Sequence, residues 1–287
     1  MKMDQRIFKI IFQLSKTQPW LDEKVEELQH LLFSECNCSD ERELIIELLG
    51  RFRHVTEKEF ADSISLLIHD IATTPNIDDS NTQIVAMTGD YSSDSAQFVL
   101  YALKAPLEKV KWREHITVTN FQRSLREFKQ KGNRHYNIIL VDEFVGSGRT
   151  AIGRVDTIKK LFLDHGINNI TIRVKVLVAS SVSVENVKKS GIDMSSCIEI
   201  EQGISGFYES DAKVIERKLA LMDRLESILS SSYKGRELPK HGYGCAESLY
   251  VRDNGNTPNS VFPIFWWPFL QDGQERGTIL TRAMGDA

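Results

Sequence analysis

The chain has 287 residues, 41% of them hydrophobic and 26% charged, with 17 Gly and only 7 Pro, a composition that builds a globular core and excludes a low-complexity or fibrous chain. The net charge of −4 gives no global field to draw the molecule to nucleic acid or an anionic membrane. Of the four cysteines only Cys36 and Cys38 are close in sequence, and no second cysteine pair or histidine pair completes a zinc set, so free thiols in a reducing compartment are expected.

The opening segment, MKMDQRIFKIIFQLSK, spaces its apolar residues as in an amphipathic helix and soon meets acidic residues. That is neither a signal peptide nor a membrane span, and it predicts a cytoplasmic protein with no membrane partner. Three further stripes follow: Trp20 to Phe33, Leu44 to Leu49, and Phe60, Ile64, Leu67 and Ile68. Thr56 and Glu59 have capping-box spacing at the start of the last one, and Pro75 closes the segment. Residues 1–75 are therefore expected to form a module of about four helices.

From Thr82 the period changes. Ile84 to Met87 is a short apolar run, followed by the polar loop Thr88 to Ser95 and a helical stretch from Phe98 to Leu103. A strand near Ile116 to Val118, a charged helix from about Gln122 to Lys131 and a strand from Asn137 to Val141 come next. Ala151 to Leu163 reads as helix, Ile170 to Ala179 as strand, Val184 to Lys189 as helix, Cys197 to Ile200 as strand, and Asp211 to Leu229 as a long helix. Strands that alternate with helices and carry near-continuous apolar runs predict an α/β fold whose parallel sheet is covered on both faces. Residues 76–232 are expected to form this core, and 233–287 a turn-rich C-terminal extension whose aromatics are packing anchors. The basic residues between Lys104 and Arg134 read as a solvated surface.

The chemistry concentrates in Ile138-Ile139-Leu140-Val141-Asp142-Glu143-Phe144-Val145-Gly146-Ser147-Gly148-Arg149-Thr150. A buried strand carries two carboxylates to its C-terminal edge, and a glycine-containing loop then enters a helix. Backbone N–H groups at such a helix start converge on an anion, glycines allow close approach, and Ser147 and Thr150 add hydroxyl donors. The carboxylates suit a sugar diol, which donates hydrogen bonds to them, or a divalent cation with oxygen preference. Together the two halves describe a ribose 5-phosphate unit.

This stretch resembles the signature of the type I phosphoribosyltransferases: an apolar run, two acidic residues, and a loop ending in Thr/Ser-Gly-x-Thr. The resemblance is close over residues 138–150 and extends in arrangement over 82–205. It implies a phosphoribosyltransferase-like core. Asp142 and Glu143 would serve as the catalytic pair that holds the ribose hydroxyls of phosphoribosyl pyrophosphate, with magnesium as cofactor and the same two residues as its ligands. Gly146, Ser147, Gly148, Arg149 and Thr150 would bind the 5-phosphate. Thr88, Gly89, Asp90, Ser93 and Ser95 stand where the family binds pyrophosphate. There Asp90 and Asp94 replace the Lys or Arg such loops often offer, so turnover is expected to be slow or partner-dependent, and a sensor of phosphoribosyl pyrophosphate or a nucleotide is the alternative.

The tail elements Gly242-Tyr243-Gly244 and Asn256-Thr257-Pro258-Asn259, with the apolar run Val261 to Trp267, are similar to those of phosphoribosyltransferase-like effectors of prokaryotic conflict systems, antiphage and retron-linked sets included. That resemblance implies a role in antiviral defence, with protein partners from a defence operon, a reverse transcriptase with its nucleic acid among them. His241 to Trp267 is the candidate hood that would select a nucleophile, while His241 and Glu247 are expected to be structural.

Of two other readings, one falls on the residues and the other ranks a distant third. A Walker B strand needs a GxxxxGK[ST] loop, and the chain has no Gly-Lys-Ser or Gly-Lys-Thr. Gly146 to Ala151 also fits GxGxxA, but a dinucleotide fingerprint turns directly off its strand without two carboxylates facing the pyrophosphate.

Overall fold

The apolar stripes of positions 1–75 form four α-helices: α1 (Gln5–Thr17), α2 (Val25–His30), α3 (Ser39–Gly50) and, after a short strand β1 (Arg53–Val55), α4 (Glu57–Thr73). The computed structural model describes residues 5–89 and 94–285. Beyond α4 the chain alternates: β2 (Thr82–Ala86), α5 (Ser95–Ala102), α6 (Lys104–Lys109), β3 (Ile116–Val118), α7 (Ser124–Gln130), β4 (Asn137–Val145), α8 (Arg149–Leu163), β5 (Thr171–Ser180), α9 (Ser181–Lys189) and β6 (Asp193–Ile200). Then come α10 (Ala212–Glu226) and three strands of two or three residues, β7 (Ser232–Tyr233), β8 (Arg236–Glu237) and β9 (Tyr250–Arg252).

The chain divides into two compact units, one of residues 57–199 and one of residues 1–56 with 200–287. This division differs from the three parts read from sequence, 1–75, 76–232 and 233–287. Strand pairing accounts for the difference: β1 lies parallel to β9, with Arg53 opposite Tyr250 and Val55 opposite Arg252. His54 Nε2 and Asp253 Oδ1 meet at 2.6 Å beside that ladder. The segment up to Thr56 thus belongs with the tail, and α4 belongs with the sheet.

The unit of residues 57–199 is built on a five-stranded sheet ordered β3-β2-β4-β5-β6. The pairs β2–β3, β2–β4 and β4–β5 are parallel. Ile138, Ile139, Leu140 and Val141 of β4 are fully buried, as are Ile84 and Val85 of β2 and Val174 and Val176 of β5. Burial of consecutive residues means that both faces are covered. The register shows how. Ser124 of α7 donates to Gln83, which lies opposite Ile138, whereas Asp70 of α4 holds Lys175, which lies opposite Val141. Ile138 and Val141 are three apart on one strand and face opposite ways, so α7 and α4 sit on opposite faces. The nine basic residues from Lys104 to Arg134 are all exposed.

In the other unit α10 packs on α3, and Leu28, Leu32, Leu44, Ile45, Leu48, Phe262, Phe265, Trp266 and Trp267 form its core. Tyr250, Phe262, Phe265, Trp266 and Trp267 are packing anchors, as expected of the tail aromatics, while Tyr243 is exposed. A buried fork joins Arg276 to Glu35, Nε to Oε1 at 2.7 Å and Nη2 to Oε2 at 2.5 Å. The buried Glu247 accepts from the N–H groups of Ile204 and Ser205 and from the Ser205 hydroxyl. Its role is to tie a turn. Among the described residues no helix is long and apolar enough to cross a membrane.

Candidate functional site

In an open parallel sheet, ligands sit beyond the carboxyl ends of the strands. Here that edge is formed by the ends of β2 and β4, whose register brings Ala86 opposite Val141 and continues with Met87 N–H donating to Val141 O at 3.2 Å. Thr88 and Gly89 therefore lie beside Asp142 and Glu143.

Strand β4 runs on to Val145, well past its expected end at Val141. Alternation along it sends Asp142 and Glu143 to opposite faces, and their burial differs accordingly: Glu143 is buried, Asp142 half-buried. The two carboxylates flank the strand end; they are not side by side. Asp142 Oδ1 accepts from the Ser95 hydroxyl at 2.7 Å and from the Glu143 N–H at 2.7 Å. Burial nevertheless outweighs those two donors and pushes the Asp142 carboxyl up to about 7, with a smaller contribution from repulsion by Asp94 and Glu143. A cation or a hydroxyl pair arriving at Asp142 would relieve that penalty.

The loop from Gly146 to Thr150 is held from behind. The side chains of Ser183, Ser180 and Asn186, at the β5–α9 junction and along α9, donate to three consecutive carbonyls: Ser183 Oγ to Val145 O at 2.9 Å, Ser180 Oγ to Gly146 O, and Asn186 Nδ2 to Ser147 O at 3.0 Å. In a trans peptide the N–H points opposite to the C=O of the same unit. With those carbonyls turned toward α9, the N–H groups of Gly146, Ser147 and Gly148 are directed away from it, three in succession at the start of α8. Such a run is an anion nest, reinforced by the helix dipole. Gly148 caps α8 at φ +77°, and a Cβ there would lie 3.0 Å from Val187 Cγ2 and 3.3 Å from Ser183 O. The motif glycine is required both for its backbone angle and for its lack of a side chain. Arg149 and Thr150 are exposed in the first turn of α8.

Of the first loop, Thr88, Gly89 and Ser95 are described, while Asp90 and Ser93 lie outside the described residues. Asp94 Oδ1 accepts from the Gln97 N–H at 3.0 Å, capping α5, and from Thr88 Oγ1 at 2.5 Å. It is engaged in building the loop. Arg154, which the sequence reading did not single out, reaches this loop from the second turn of α8. Its Nε donates to Met87 O at 3.3 Å, its guanidinium lies 4.4 Å from the centre of the Phe121 ring, and a Cβ on Gly89 would come within 2.8 Å of its Cζ. Ser180, Ser183 and Asn186 were missed as well. Their sequence signal is weak, because Ser and Asn after a strand equally describe an ordinary helix cap, which Ser180 also provides by accepting from the Ser183 N–H.

The described residues contain no group of three or more His, Cys, Asp or Glu placed to hold a metal. Magnesium commonly takes one or two protein carboxylates and completes its shell with water and substrate phosphates. Asp142, half-buried at the strand end, fits that limited role as a single carboxylate ligand, whereas Glu143 is buried on the opposite face of the strand.

Solved structures with partial likeness include a hypothetical protein from Neisseria gonorrhoeae with bound ppGpp, at 16% identity and TM-score 0.32, covering 60% of this chain and 97% of that one. Orotate phosphoribosyltransferase from Aeropyrum pernix matches at 12% identity and TM-score 0.30, over 57% of this chain and 77% of its own. Xanthine-guanine-hypoxanthine phosphoribosyltransferase from Helicobacter pylori matches at 12% identity and TM-score 0.30, over 52% and 86%. Likeness at this level does not carry function. No curated protein matches the chain significantly. The PRTase-CE family model, in contrast, matches residues 24–274, which takes in the nest, the acidic strand and the tail elements, and the chain belongs to the PRTase-CE family.

Proposed function

We propose that the protein binds a ribose 5-phosphate compound, phosphoribosyl pyrophosphate or a nucleotide, together with magnesium. The observation that carries this reading is the run of three N–H groups at Gly146, Ser147 and Gly148, fixed by Ser180, Ser183 and Asn186, one strand end away from Asp142. The nest takes the 5-phosphate, with Arg149 and Thr150 at its rim. Asp142 accepts from the ribose hydroxyls and supplies a carboxylate oxygen to magnesium, whose shell is completed by ligand phosphates and water. Titration calorimetry with phosphoribosyl pyrophosphate and a panel of nucleotides, with and without magnesium, tests it. The double variant Asp142→Asn, Glu143→Gln should lose most of the heat while its circular dichroism stays native; absence of heat for every ligand with the wild type would sink the reading.

If the chain turns over, the reaction displaces pyrophosphate at the ribose C1, and pyrophosphate release with candidate acceptors measures it. A non-catalytic sensor, or a structural subunit of a larger complex, is the second reading. The engagement of Asp94 and Thr88 with each other favours it, since polar groups satisfied within the loop are not displayed to a leaving group. In either case we place the protein in antiviral defence, as a toxic or signalling effector working with protein partners from its operon, with a reverse transcriptase and its nucleic acid as the partner to test first. The support is the resemblance of Gly242-Tyr243-Gly244, Asn256 to Asn259 and Val261 to Trp267 to conflict-system effectors; all three elements fall inside the family match. Copurification from cells expressing the neighbouring genes, followed by mass spectrometry, tests that assignment.

A further inference from the structure

The loop after β2 looks acidic in sequence, yet the structure brings a cation to it from another element. Arg154 lies five residues past the start of α8, so its Cα is about 7.5 Å down the helix axis from the phosphate nest. Helical side chains lean toward the N-terminus, and this one reaches back to the sheet edge, where Nε is fixed by Met87 O and the guanidinium plane rests near Phe121. Among the described residues, neither Nη1 nor Nη2 has a hydrogen-bond acceptor, and no carboxylate lies within ion-pair distance of this half-buried group. Those N–H groups keep contact with solvent at the sheet edge, and an oxyanion, which makes charge-assisted bonds to a guanidinium fork, is the ligand that engages them best. Gly89 keeps the approach open: any side chain at that position would begin with an atom overlapping the guanidinium.

We infer that Arg154 is the specificity residue for a second anionic group, carried at the ribose C1, so that the site selects ribose 5-phosphates bearing a C1 pyrophosphate over those bearing a bare hydroxyl. This rests on the proposed ribose 5-phosphate site. It assigns to α8 both ends of one ligand, the nest at its start and the cation one turn on. The loop after β2 then needs no lysine or arginine of its own.

The test is calorimetry on the full chain with phosphoribosyl pyrophosphate and, separately, ribose 5-phosphate, each with magnesium. Arg154→Gln should weaken phosphoribosyl pyrophosphate about tenfold or more, the loss of one charge-assisted contact, and leave ribose 5-phosphate nearly unchanged. Arg154→Lys should recover part of the difference, since it restores the charge without the fork. Gly89→Ala, which leaves Arg154 in the chain but displaces its guanidinium, should reproduce the glutamine variant, and it serves if that variant folds poorly. An equal loss for both ligands would make Arg154 a strut for the loop, and no loss for either would make it a bystander; each result overturns the inference and leaves the ribose 5-phosphate reading standing. A wild-type chain that binds neither ligand removes both.

Discussion

Replacing Gly148 with alanine should damage both the fold and the site, and the size of the effect can be worked out from its surroundings. At φ +77° a residue with a Cβ is strained by about 1–2 kcal/mol. The added methyl would also press on Val187 Cγ2 at 3.0 Å and on the Ser183 carbonyl at 3.3 Å. Val187 is fully buried and cannot step aside, so overpacking adds about 1–3 kcal/mol. Urea unfolding should therefore show a loss of roughly 2–5 kcal/mol. Gly153→Ala supplies the contrast on the same helix. That glycine is exposed, with nothing within 4 Å of its would-be Cβ, and the change should stabilise by about 0.5–1 kcal/mol. Combining Gly148→Ala with Val187→Ala should cost less than the sum of the two by about 1 kcal/mol, because only the steric part is relieved. Ligand affinity should fall in the Gly148 variant even where the protein remains folded, since the three N–H groups shift with the loop. A Gly148→Ala protein as stable as wild type to within the small spread of ordinary surface changes, and with full affinity, would refute both the strain and the nest argument.

Three further outcomes are expected. The Asp142 carboxyl sits at about 7 in the folded chain against 3.8 ordinarily, so the folded state holds its proton more tightly; the stability it contributes is full below pH 3.8 and declines as pH rises through 7. Asp142→Asn should flatten that decline in urea titrations run across this window, and an unchanged slope would place the effect elsewhere. Asn186→Ala, which touches no ligand, should release the Ser147 carbonyl and lower phosphate affinity by the equivalent of about 0.5–1.5 kcal/mol; calorimetry that finds the affinity intact would show that the nest is held without it. Arg276→Met leaves Glu35 buried without its fork and should destabilise by about 3–5 kcal/mol, whereas Glu35→Met together with Arg276→Met should recover most of that loss in tryptophan-monitored unfolding.

The legible parts of this chain were those in which one short segment decides its own structure. Ile138 to Val141 reads as a doubly covered strand because four consecutive apolar residues admit little else, and Gly146 to Thr150 reads as an anion loop because a strand precedes it and a helix follows. What stayed hidden depends on partners distant in sequence. Asp142, Glu143 and Phe144 continue β4 because β5 lies alongside, with Asp142 opposite Val176 and Phe144 opposite Val178, and two adjacent carboxylates interrupting the apolar run gave no sign of that. The pairing of Arg53-His54-Val55 with Tyr250-Val251-Arg252 was invisible, since neither triplet has an apolar pattern and most of the chain separates them. Arg154 looked like any polar residue on an amphipathic helix, and only the position of Gly89 gives its side chain a purpose.

The β1–β9 ladder also bears on how the molecule is made. Because it ties residue 53 to residue 250, the sheet unit is an insertion within the other unit, and the insertion is contiguous while its host is split. During synthesis residues 57–199 emerge whole and can complete their parallel sheet while the strand that closes the host has yet to leave the ribosome. A folded insert brings its own two ends to fixed positions, which shortens the effective loop that β1 and β9 must close and lowers the entropy lost in closing it. The sheet unit can thus fold before the split unit is closed, and a lesion in the sheet should appear first as a failure of residue 250 to find residue 53.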